Sequence, residues 1–387
     1  MIYFNHNEYN ILFVGHIILN ILNIYLWKLI CTVYSIDVVI RNTEESYRSL
    51  SEILQNNSNY KEGVNIYFPD PYYSFGLYKL YSISIKVDNP ISLISTSENK
   101  TIFDYGETQQ SSIFFYFYKE ITIPVKISGI IFHSYFAEKT NPVFISSENE
   151  AFHINFENCE FSNNVGSVVS ISYPIFTCTN NDNYQVEFNN YNKSARYSVL
   201  VLKPELKNFY KDNLEKCVSL KVSNSYFYRN MSIFHLLRGN LLIDNCIFEN
   251  NDSSDAMNFS ILFSENPNNR ILIKNSIFKN NILNKNIPLF YLSKPYIKME
   301  NVTFSNNHSI CGYLIYGEYI NSEYSQEFVI KDSFFSENDN IISGKNNDIY
   351  IDKSEFKDTI LRSSLPIVSN CINSNIKIEN SNFNNLK

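Results

Sequence analysis

Three consecutive copies of one pattern decide the fold: LLIDNCIFENN at 241–251, ILIKNSIFKNN at 271–281 and IKMENVTFSNN at 297–307. Each copy alternates apolar and other residues, and then has an Asn, a small residue, a Phe and a pair of Asn residues. Alternation with a period of two predicts strands with one buried face. A unit of this length cannot bury that face alone, so the repeat predicts a solenoid of stacked units.

The Phe of the pattern recurs through most of the chain. It stands at Phe161, Phe227, Phe248, Phe278, Phe304, Phe335, Phe356 and Phe383, and a looser copy has one at Phe132. By subtraction, all intervals but the one between Phe161 and Phe227 are 21 to 31 residues long. Intervals of this length correspond to one turn of a solenoid, and their variation indicates constant strands joined by loops of variable length.

Two columns before the repeat Asn contain only apolar residues. Four residues before that Asn, the column is Ile154, Leu220, Leu241, Ile271, Ile297, Phe328, Ile349 and Ile376. Two residues before it, the column is Phe156, Val222, Ile243, Ile273, Met299, Ile330, Ile351 and Ile378. Because successive strand residues point to opposite faces, both columns are predicted to point inward. After the Asn, which tolerates the left-handed backbone of a bend, the next inward column is small: Cys159, Ser225, Cys246, Ser276, Val302, Ser333, Ser354 and Ser381.

The residue just before the repeat Asn is predicted to point outward. It alternates in sign over five copies, as Asp244, Lys274, Glu300, Lys331 and Asp352. In a parallel stack these side chains would be neighbours about 4.8 Å apart, where opposite charges favour the pairing. The alternation therefore predicts parallel strands in register, although Ser223 is neutral and Glu379 breaks the alternation.

Parallel strands, short bends with stacked Asn and turns of this length resemble the right-handed parallel β-helix of the pectin-lyase-like superfamily. The tetrapeptide Phe-x-x-Asn resembles the repeat of polymorphic membrane proteins. It occurs as FSNN at 161–164, FYRN at 227–230, FENN at 248–251, FKNN at 278–281, FSNN at 304–307 and FSEN at 335–338. The companion Gly-Gly-Ala-Ile motif of that family is missing, and GSVVSI after Val165 is the nearest approach. The resemblance covers most of the chain from about Glu44 and implies an all-β, right-handed parallel β-helix.

The segment EESYRSLSEILQ at 44–55, preceded by Thr43 as N-cap, is predicted to be a short amphipathic helix. It comes before the apolar runs GVNIYFPDPYY and ISIKVDNPISLISTSENKTIFDYG, which read as first rungs separated by Pro and Asn-Pro turns. A helix in this place would cover the open first rung, whose strand edges and apolar cross-section need protection.

Residues 1–36 are separated from the predicted β-helix at 37–387 by their composition. Residues 11–36 form the only long apolar run of the chain. The run ends in Val-Tyr-Ser at 33–35, as a secretory signal would, but no positive charge precedes it. It is also long enough for a membrane anchor, although Asn20, Asn23 and Lys28 would be costly in lipid. A signal peptide or an anchor is predicted, and a buried capping helix or an overextended gene start is the alternative.

Other features bear on the compartment and the partner. A formal charge of −7 and a pI near 5.5 argue against a general nucleic-acid binder. The seven cysteines show no Cys-x-x-Cys pair and no zinc spacing, and Cys159 and Cys246 are predicted to be buried free thiols. Eight glycosylation sequons would fit a secreted protein, at Asn56, Asn99, Asn192, Asn230, Asn251, Asn258, Asn301 and Asn307.

The interval between Phe161 and Phe227 leaves two interpretations open. Residues 174–217 are either a loop insertion that projects from the stack or one or two extra rungs with weak repeats. The segment is more basic than the rest of the chain, with Arg196, Lys203, Lys207, Lys211 and Lys216. Long loops on a rigid scaffold often carry function, so this segment and the variable loops are the places predicted for ligand contact.

No catalytic, cofactor-binding or metal-binding residue is predicted. Relatives that hydrolyse polygalacturonan carry an Asn-Thr-Asp strand, an Asp-Asp pair, a Gly-His-Gly turn and Arg-x-Lys, whereas this chain has no Asp-Asp dipeptide. Glu157, Asp244 and Glu300 share the outward column, but lysines interleave them, which indicates charge compensation and not a Ca²⁺ cage. Four histidines stand isolated in the sequence and are predicted to be structural: His133, His153, His235 and His308.

The predicted function is therefore non-enzymatic. The sequence favours a rigid secreted or surface-displayed β-helix protein that contacts cell-surface glycans or proteins through loops between rungs, with a membrane contact only through the N-terminal segment. A divergent carbohydrate-active β-helix enzyme is the alternative, and a purely structural rod is a third possibility.

Overall fold

The structure is a computed structural model that describes residues 35–77, 83–108, 111–118, 124–136, 142–148, 152–164, 169–174, 186–189, 192–195, 200–205, 220–230, 233–236, 240–251, 260–264, 269–283, 286–319, 324–359, 366 and 368–385. Three long sheets, named A, B and C below, run along these residues, and every strand pair within them is parallel. Successive strands of the chain belong to A, B and C in turn, so the chain coils as a right-handed β-helix. The predicted all-β fold is confirmed.

Sheet A holds the apolar columns that precede the repeat Asn. Its 13 described strands are, in order, Ile36–Val39, Val64–Phe68, Ile91–Ser95, Val125–Ser128, Ile154–Glu157, Val186–Asn189, Leu220–Ser223, Leu241–Asp244, Arg270–Lys274, Tyr296–Glu300, Gln326–Lys331, Asn347–Asp352 and Asn375–Glu379.

Sheet B holds the repeat Phe. Its 12 described strands are Tyr72–Ser74, Thr101–Thr108, Ile130–Tyr135, Glu160–Asn164, Asn192–Ala195, Tyr226–Tyr228, Ile247–Glu249, Ile277–Lys279, Thr303–Ser305, Phe334–Ser336, Glu355–Lys357 and Asn382–Asn384.

Sheet C closes the coil. Its 11 described strands are Ile83–Lys86, Ile113–Phe117, Val143–Ser147, Val169–Pro174, Leu200–Glu205, Phe234–Leu236, Leu262–Ser264, Phe290–Ser293, Tyr313–Glu318, Asn340–Lys345 and Ser369–Ile372. A short extra pair, Ile282–Leu283 and His308–Ser309, follows sheet B in two rungs.

The Phe column stacks along the interior as predicted. The ring centroids of Phe248 and Phe278 are 4.4 Å apart, and those of Phe278 and Phe304 are 4.8 Å apart, with the planes within 9° of parallel. The column begins earlier than predicted, because Phe103 pairs in register with Phe132. It is interrupted once, where the backbone register places Lys193 beside Phe161.

Two of the three Asn positions of the repeat have distinct structural roles. The Asn that follows sheet A has a left-handed backbone, with φ of 52° at Asn245 and 48° at Asn275, as predicted for a bend. The last Asn of the repeat is buried and forms a ladder, in which Asn251 donates from its backbone N–H and from Nδ2 to Oδ1 of Asn281 at 3.0 and 2.9 Å. The same pattern runs from Asn281 to Asn307 in the next rung. Each Oδ1 therefore accepts from a buried backbone N–H group that would otherwise lack a partner.

The inward and outward columns of sheet A lie as predicted. Ile271, Ile273 and Met299 are fully buried. In register, Asp244 pairs with Lys274, Lys274 with Glu300, and Glu300 in turn with the lysine of the following strand. The alternation of charge thus reports the true register of the stack.

A helix at Glu44–Gln55 covers the N-terminal end, with the bounds predicted from the sequence. Its N-cap is Thr43, whose Oγ1 accepts a hydrogen bond from the backbone N–H of Ser46 at 3.3 Å. Tyr47, Leu50 and Leu54 form its buried face. A single 3₁₀ turn, Asn57–Asn59, leads from the helix toward the second strand of sheet A.

About a third of the segment at 174–217 falls within the described residues, and that part joins the stack. Val186–Asn189, Asn192–Ala195 and Leu200–Glu205 each take their place in one of the three sheets. These strands have the course of an extra rung, whose Phe position is the Lys193 named above. Residues 175–185, 190–191, 196–199 and 206–219 lie outside the described residues.

The apolar run at 11–36 lies outside the described residues except for its last two positions. Whether it is a signal peptide or an anchor therefore stays a prediction. Among the residues that the structure does describe, no helix combines the length and the apolar character needed to cross a membrane.

Candidate ligand-binding site

A polar pocket of about 500 Å³ lies near the C-terminal end, where sheet C turns into sheet A in three successive rungs. Its lining includes Tyr324, Ser325, Asn346, Asp348, Asn373 and Asn375. These residues come from the starts of the last three strands of sheet A and from the bends that precede them. The pocket therefore belongs to the loops between rungs, which is where the sequence predicts ligand contact.

Two asparagines shape the wall of this pocket. Asn346 and Asn373 have left-handed backbones, with φ of 55° and 52°. Asn373 donates from Nδ2 to Oδ1 of Asn346 at 2.8 Å, and Asn346 donates from Nδ2 to the carbonyl of Tyr319 at 2.6 Å. Asn is suited to this position because its short amide tolerates the left-handed region and bonds to nearby backbone groups. The bends of adjacent rungs are thereby held in register.

Two glycines allow the rungs to approach closely beside the pocket. Gly344 has φ of +142°, and a Cβ there would lie 1.7 Å from the carbonyl oxygen of Gly317. A Cβ on Gly317 would itself lie 2.6 Å from the ring of Phe328. Only glycine fits at either position, since any side chain would push the bend of one rung away from the next.

Asp348 is the one carboxylate among the described lining residues. Its Oδ1 accepts a hydrogen bond from Nδ2 of Asn375 at 2.8 Å, and its Oδ2 accepts one from the hydroxyl of Ser325. These two donors fix the plane of the carboxylate, while each oxygen keeps a further lone pair. Asp348 can therefore accept hydrogen bonds from a ligand without rearranging.

Tyr324 provides an aromatic surface at the mouth of the pocket. It is 59% exposed, and its ring centroid lies 5.8 Å from that of Tyr319. An exposed tyrosine presents an apolar ring and a polar hydroxyl at the same place. Combined with amides, hydroxyls and one carboxylate, it can contact a ligand that has both apolar C–H faces and hydroxyl groups.

Cys371 also lines the pocket, but its chemistry is not that of a nucleophile. Burial raises the pKa of its thiol, and Nδ2 of Asn347 lies 3.4 Å from the sulfur. Since the thiolate is the reactive form, a raised pKa leaves the group protonated and unreactive near neutral pH.

Two buried polar atoms beside this corner have no hydrogen-bond partner among the described residues. They are Oδ1 of Asn347 and Nε2 of Gln326, which face each other in register in sheet A. Buried polar groups are normally paired. The protein's own described groups therefore leave one acceptor and one donor beside the pocket without a hydrogen bond.

The carboxylates considered in the sequence are not among the described lining residues of this pocket and lie on the outward face of sheet A. Glu157 forms an ion pair with Lys126 at 2.5 Å. Lys298, 3.0 Å from Glu300, lowers the pKa of that carboxyl group. Asp244 accepts a hydrogen bond from Nδ2 of Asn275 at 2.8 Å. Each carboxylate has a partner within the protein, although none of these partners is a lysine of the alternating outward column.

The described structure does not bring the four histidines together. His133 lies 3.0 Å from Ser162 Oγ, and the ring of His235 packs against Phe263. His308 is buried beside Asp339 and Asn306, at 3.2 and 2.9 Å.

Ser309, next to His308, gives the group of His308, Asp339 and Asn306 a superficial likeness to a catalytic triad. The hydroxyl of Ser309, however, donates to the carbonyl of Ile287 at 2.6 Å and has no bond to the imidazole. Nucleophile activation requires the base to be within hydrogen-bond reach of the hydroxyl. The cluster therefore acts as a polar brace in the turn. Within the described part of the chain, no three His, Cys, Asp or Glu side chains are grouped so that they could hold a metal ion.

The pocket does not follow from the inward columns of the repeat, although the outward column contains a signal for it. Glu327, Asp348 and Asn375 are neighbours in register and lie four residues before Lys331, Asp352 and Glu379. The sequence prediction considered outward residues only at the position just before the repeat Asn. The outward position four residues earlier in each strand relates Asp348 to Asn375.

Comparison with known proteins adds no relative. No protein-family model matches the chain, and no curated protein matches it at a significant level.

Proposed function

We propose that this chain is a non-enzymatic, exported β-helix protein that binds saccharide through the pocket between sheets C and A. The observation that carries the proposal is the lining: amides, hydroxyls, one fixed carboxylate and an exposed tyrosine ring. Neutral sugars present vicinal hydroxyls and apolar C–H faces, which match acceptors and donors on one side and an aromatic ring on the other.

The charge of the lining supports a neutral ligand. Among the described lining residues Asp348 carries the only charge, so an anionic ligand would meet repulsion without a compensating cation. A single carboxylate is also too few for a typical Ca²⁺ site, which gathers six to eight oxygens around the ion.

The pectin-lyase-like relationship, the polymorphic membrane protein-like repeat and the secreted or surface location are parts of the same proposal. The Phe-x-x-Asn tetrapeptide and the apolar run at 11–36 support them. Export through a glycosylating pathway is compatible with sequons at Asn56, Asn99 and Asn301, which are exposed. The sequons at Asn230, Asn251 and Asn307 are fully buried in the ladder, where a glycan would prevent folding.

A binding screen on neutral glycans tests the proposal, followed by calorimetry of the full chain with each saccharide that binds. We expect Asp348→Asn to weaken binding about tenfold or more, since a hydrogen bond to a charged group contributes about 1.5–3 kcal/mol. Tyr324→Ala should also weaken binding, because it removes the aromatic ring against which an apolar C–H face would pack. Asp244→Asn is the matched control, because Asp244 also accepts a 2.8 Å bond from the Asn of the next rung. Loss of binding in the control as well would place the site elsewhere.

The non-enzymatic part has its own test. Incubation of the full chain with uronic-acid and neutral glycans, with and without Ca²⁺, should release no product. Clear turnover would replace this proposal with the carbohydrate-active alternative. Export is tested separately with a tagged chain, and an entirely cytosolic, unglycosylated product would contradict it.

A further inference from the structure

A line of hydrogen bonds runs along the ends of four successive strands of sheet B and the bends that follow them. The amide of Asn280 bonds to the carboxylate of Glu249. Asn306 donates from Nδ2 to Oδ1 of Asn280 at 2.8 Å. His308 comes next, with Nε2 2.9 Å from Oδ1 of Asn306 and Nδ1 3.2 Å from Oδ1 of Asp339. The line therefore connects two carboxylates through two amides and one imidazole.

The direction of each donor in this line is fixed at the Glu249 end. An ionised carboxylate only accepts hydrogen bonds, whereas an Asn amide has an accepting oxygen and a donating nitrogen. The hydroxyl of Tyr226 donates to Oε2 of Glu249 at 2.8 Å and lowers the pKa of that carboxyl group, which favours its ionised form. Asn280 therefore turns its nitrogen toward Glu249 and its oxygen toward Asn306. Asn306 donates to that oxygen and presents its own oxygen to His308.

The imidazole of His308 accordingly faces an accepting oxygen at each ring nitrogen. A neutral imidazole has one donor and one acceptor, whereas an imidazolium has two donors. With a proton on Nε2 alone, the lone pair of Nδ1 would face the carboxylate of Asp339. With a proton on Nδ1 alone, the lone pair of Nε2 would face the amide oxygen of Asn306. Only the doubly protonated, positively charged ring fits both partners.

The burial of Asp339 favours the same charge on the ring. The side chain of Asp339 is 2% exposed, and that of His308 is 9% exposed. Oδ2 of Asp339 accepts from the backbone N–H of Ser309 at 2.6 Å. Among the residues that the structure describes, no lysine or arginine forms an ion pair with this carboxylate. Because a buried carboxylate without a cation is strongly destabilising, the imidazolium is its fitting partner.

Two further contacts complete the surroundings of His308. On the side of the preceding rung, Ile282 is in register with it. On its own bend, the thiol of Cys311 lies 2.8 Å from the hydroxyl of the serine that follows His308, and burial raises the pKa of that thiol. The titratable groups that these elements bring toward the imidazole are thus Asp339, Cys311 and, through the two amides, Glu249.

The charged ring would hold several rungs together at this corner. Hydrogen bonds between ionised groups are about twice as strong as those between neutral groups. Loss of one ring proton leaves a lone pair opposite an oxygen atom, so attraction becomes repulsion at one end of the ring. The bend at 306–312 contains both His308 and Ser309, which contact Asp339 of the next rung. This bend is therefore the part of the stack that would loosen first.

We propose that His308 is a pH-sensitive clamp of the stack. Its doubly protonated ring holds the bend at 306–312 against the neighbouring rungs, and loss of one ring proton loosens that bend. The clamp does not depend on what the pocket binds.

Nuclear magnetic resonance of the full chain with isotope-labelled histidine tests the charge on the ring. The ring-nitrogen signals distinguish a protonated nitrogen from a bare one, and the signals absent from His308→Gln identify those of His308. We expect protons on both ring nitrogens at about pH 7, where an unperturbed histidine is mainly neutral. A bare ring nitrogen in folded chain at that pH would overturn the proposal.

Amide hydrogen exchange tests the clamp itself. As the pH is raised until the ring signals report loss of a proton, the protection of the Ser309 N–H should fall about tenfold or more relative to that of Leu241–Asp244 in mid-stack. Such a loss corresponds to one charge-assisted hydrogen bond. Protection that stays unchanged when the ring loses its proton would refute the clamp. A ring that keeps both protons until the chain unfolds would refute its pH sensitivity.

A substitution at the far end of the line tests its direction. Glu249→Gln introduces a group that can donate as well as accept, so the amides of Asn280 and Asn306 can rotate and present a donor to Nε2 of His308. A neutral ring then fits, and the second ring proton should be lost at a lower pH than in the unchanged chain. Because Glu249 is partly exposed at the surface, this variant should still fold.

Glu318→Gln is the matched control for that substitution. Glu318 also accepts from a tyrosine hydroxyl and lies 2.8 Å from Nζ of Lys345, but it does not belong to the line. The pH at which His308 loses its proton should be the same in this variant as in the unchanged chain. An equal shift in both variants, or no shift in Glu249→Gln, would show that the line does not set the charge of the ring.

Discussion

The two ends of the described stack consist of similar strands but differ in how far their apolar side chains are covered. At the N-terminal end, Tyr47, Leu50 and Leu54 of the helix are at most 2% exposed and cover the first rungs. At the C-terminal end, Ile376 and Ile378 occupy inward columns and remain 46% and 40% exposed. Inward direction is thus a property of the strand pattern, whereas burial depends on the next layer.

The largest expected effect is on the free energy of unfolding, when a Phe in the middle of the column is replaced instead of one at its last rung. Phe278 has a ring on each side, at 4.4 and 4.8 Å, whereas Phe383 has only Phe356, at 4.9 Å. Phe278→Ala should lower the free energy of unfolding by about 3–5 kcal/mol. Phe383→Ala should lower it by only about 1 kcal/mol, since part of its surface is already in water.

Urea unfolding of the two variants measures this difference. Equal losses at both positions would show that the last rung is covered by something else.

A smaller effect concerns the buried thiols and pH. Burial raises the pKa of Cys159 and Cys246 to about 12, whereas an unfolded cysteine titrates near 8.5. Below about pH 8.5 the thiols are protonated in both states. As the pH rises further, the unfolded chain loses protons that the folded chain keeps, so the free energy of unfolding falls between about pH 8.5 and 12.

Replacing both thiols should flatten that dependence. Cys159→Ser with Cys246→Ser is suited to the test because serine fills the same column in other rungs, for example at Ser276. Unfolding by urea at pH 7.5 and 9.5 should show a smaller loss than in the unchanged chain. Cys371→Ser, near the open end, should change the loss less, because that thiol is only partly buried. An unchanged pH dependence in the double variant would be inconsistent with buried thiols as its source.

The interior of the stack could be predicted because it repeats. Eight copies of one pattern averaged out local irregularities, so the inward columns, the bend asparagines and the register of Asp244 with Lys274 were all predicted correctly. The extra rung was undecided because its Phe position holds Lys193, and one lost column was enough to obscure it. Backbone pairing with the neighbouring rungs keeps this rung in the stack although its sequence has no Phe at that position.

The pocket could not be predicted because it forms where the repeat stops. Its walls depend on how closely Gly317 and Gly344 let two rungs approach and on where Tyr324 lies after a variable loop. Neither is a property of a single rung. Periodicity alone predicts which residues share a column, and it also relates Asp348 to Asn375, which are in register.

The smallest expected effect concerns the covering helix and tests whether it opens independently of the middle of the stack. Thr43→Ala removes the hydroxyl that accepts from the N–H of Ser46, which should cost about 1 kcal/mol of helix stability. Thr43→Ser keeps a good N-cap and serves as the control. Amide hydrogen exchange should become faster in the helix and in the strand Ile83–Lys86, on which the helix packs, while Leu241–Asp244 in mid-stack exchanges as before. Faster exchange along the whole stack would mean that the N-terminal cover and the interior open together, and that the two ends differ in more than their coverings.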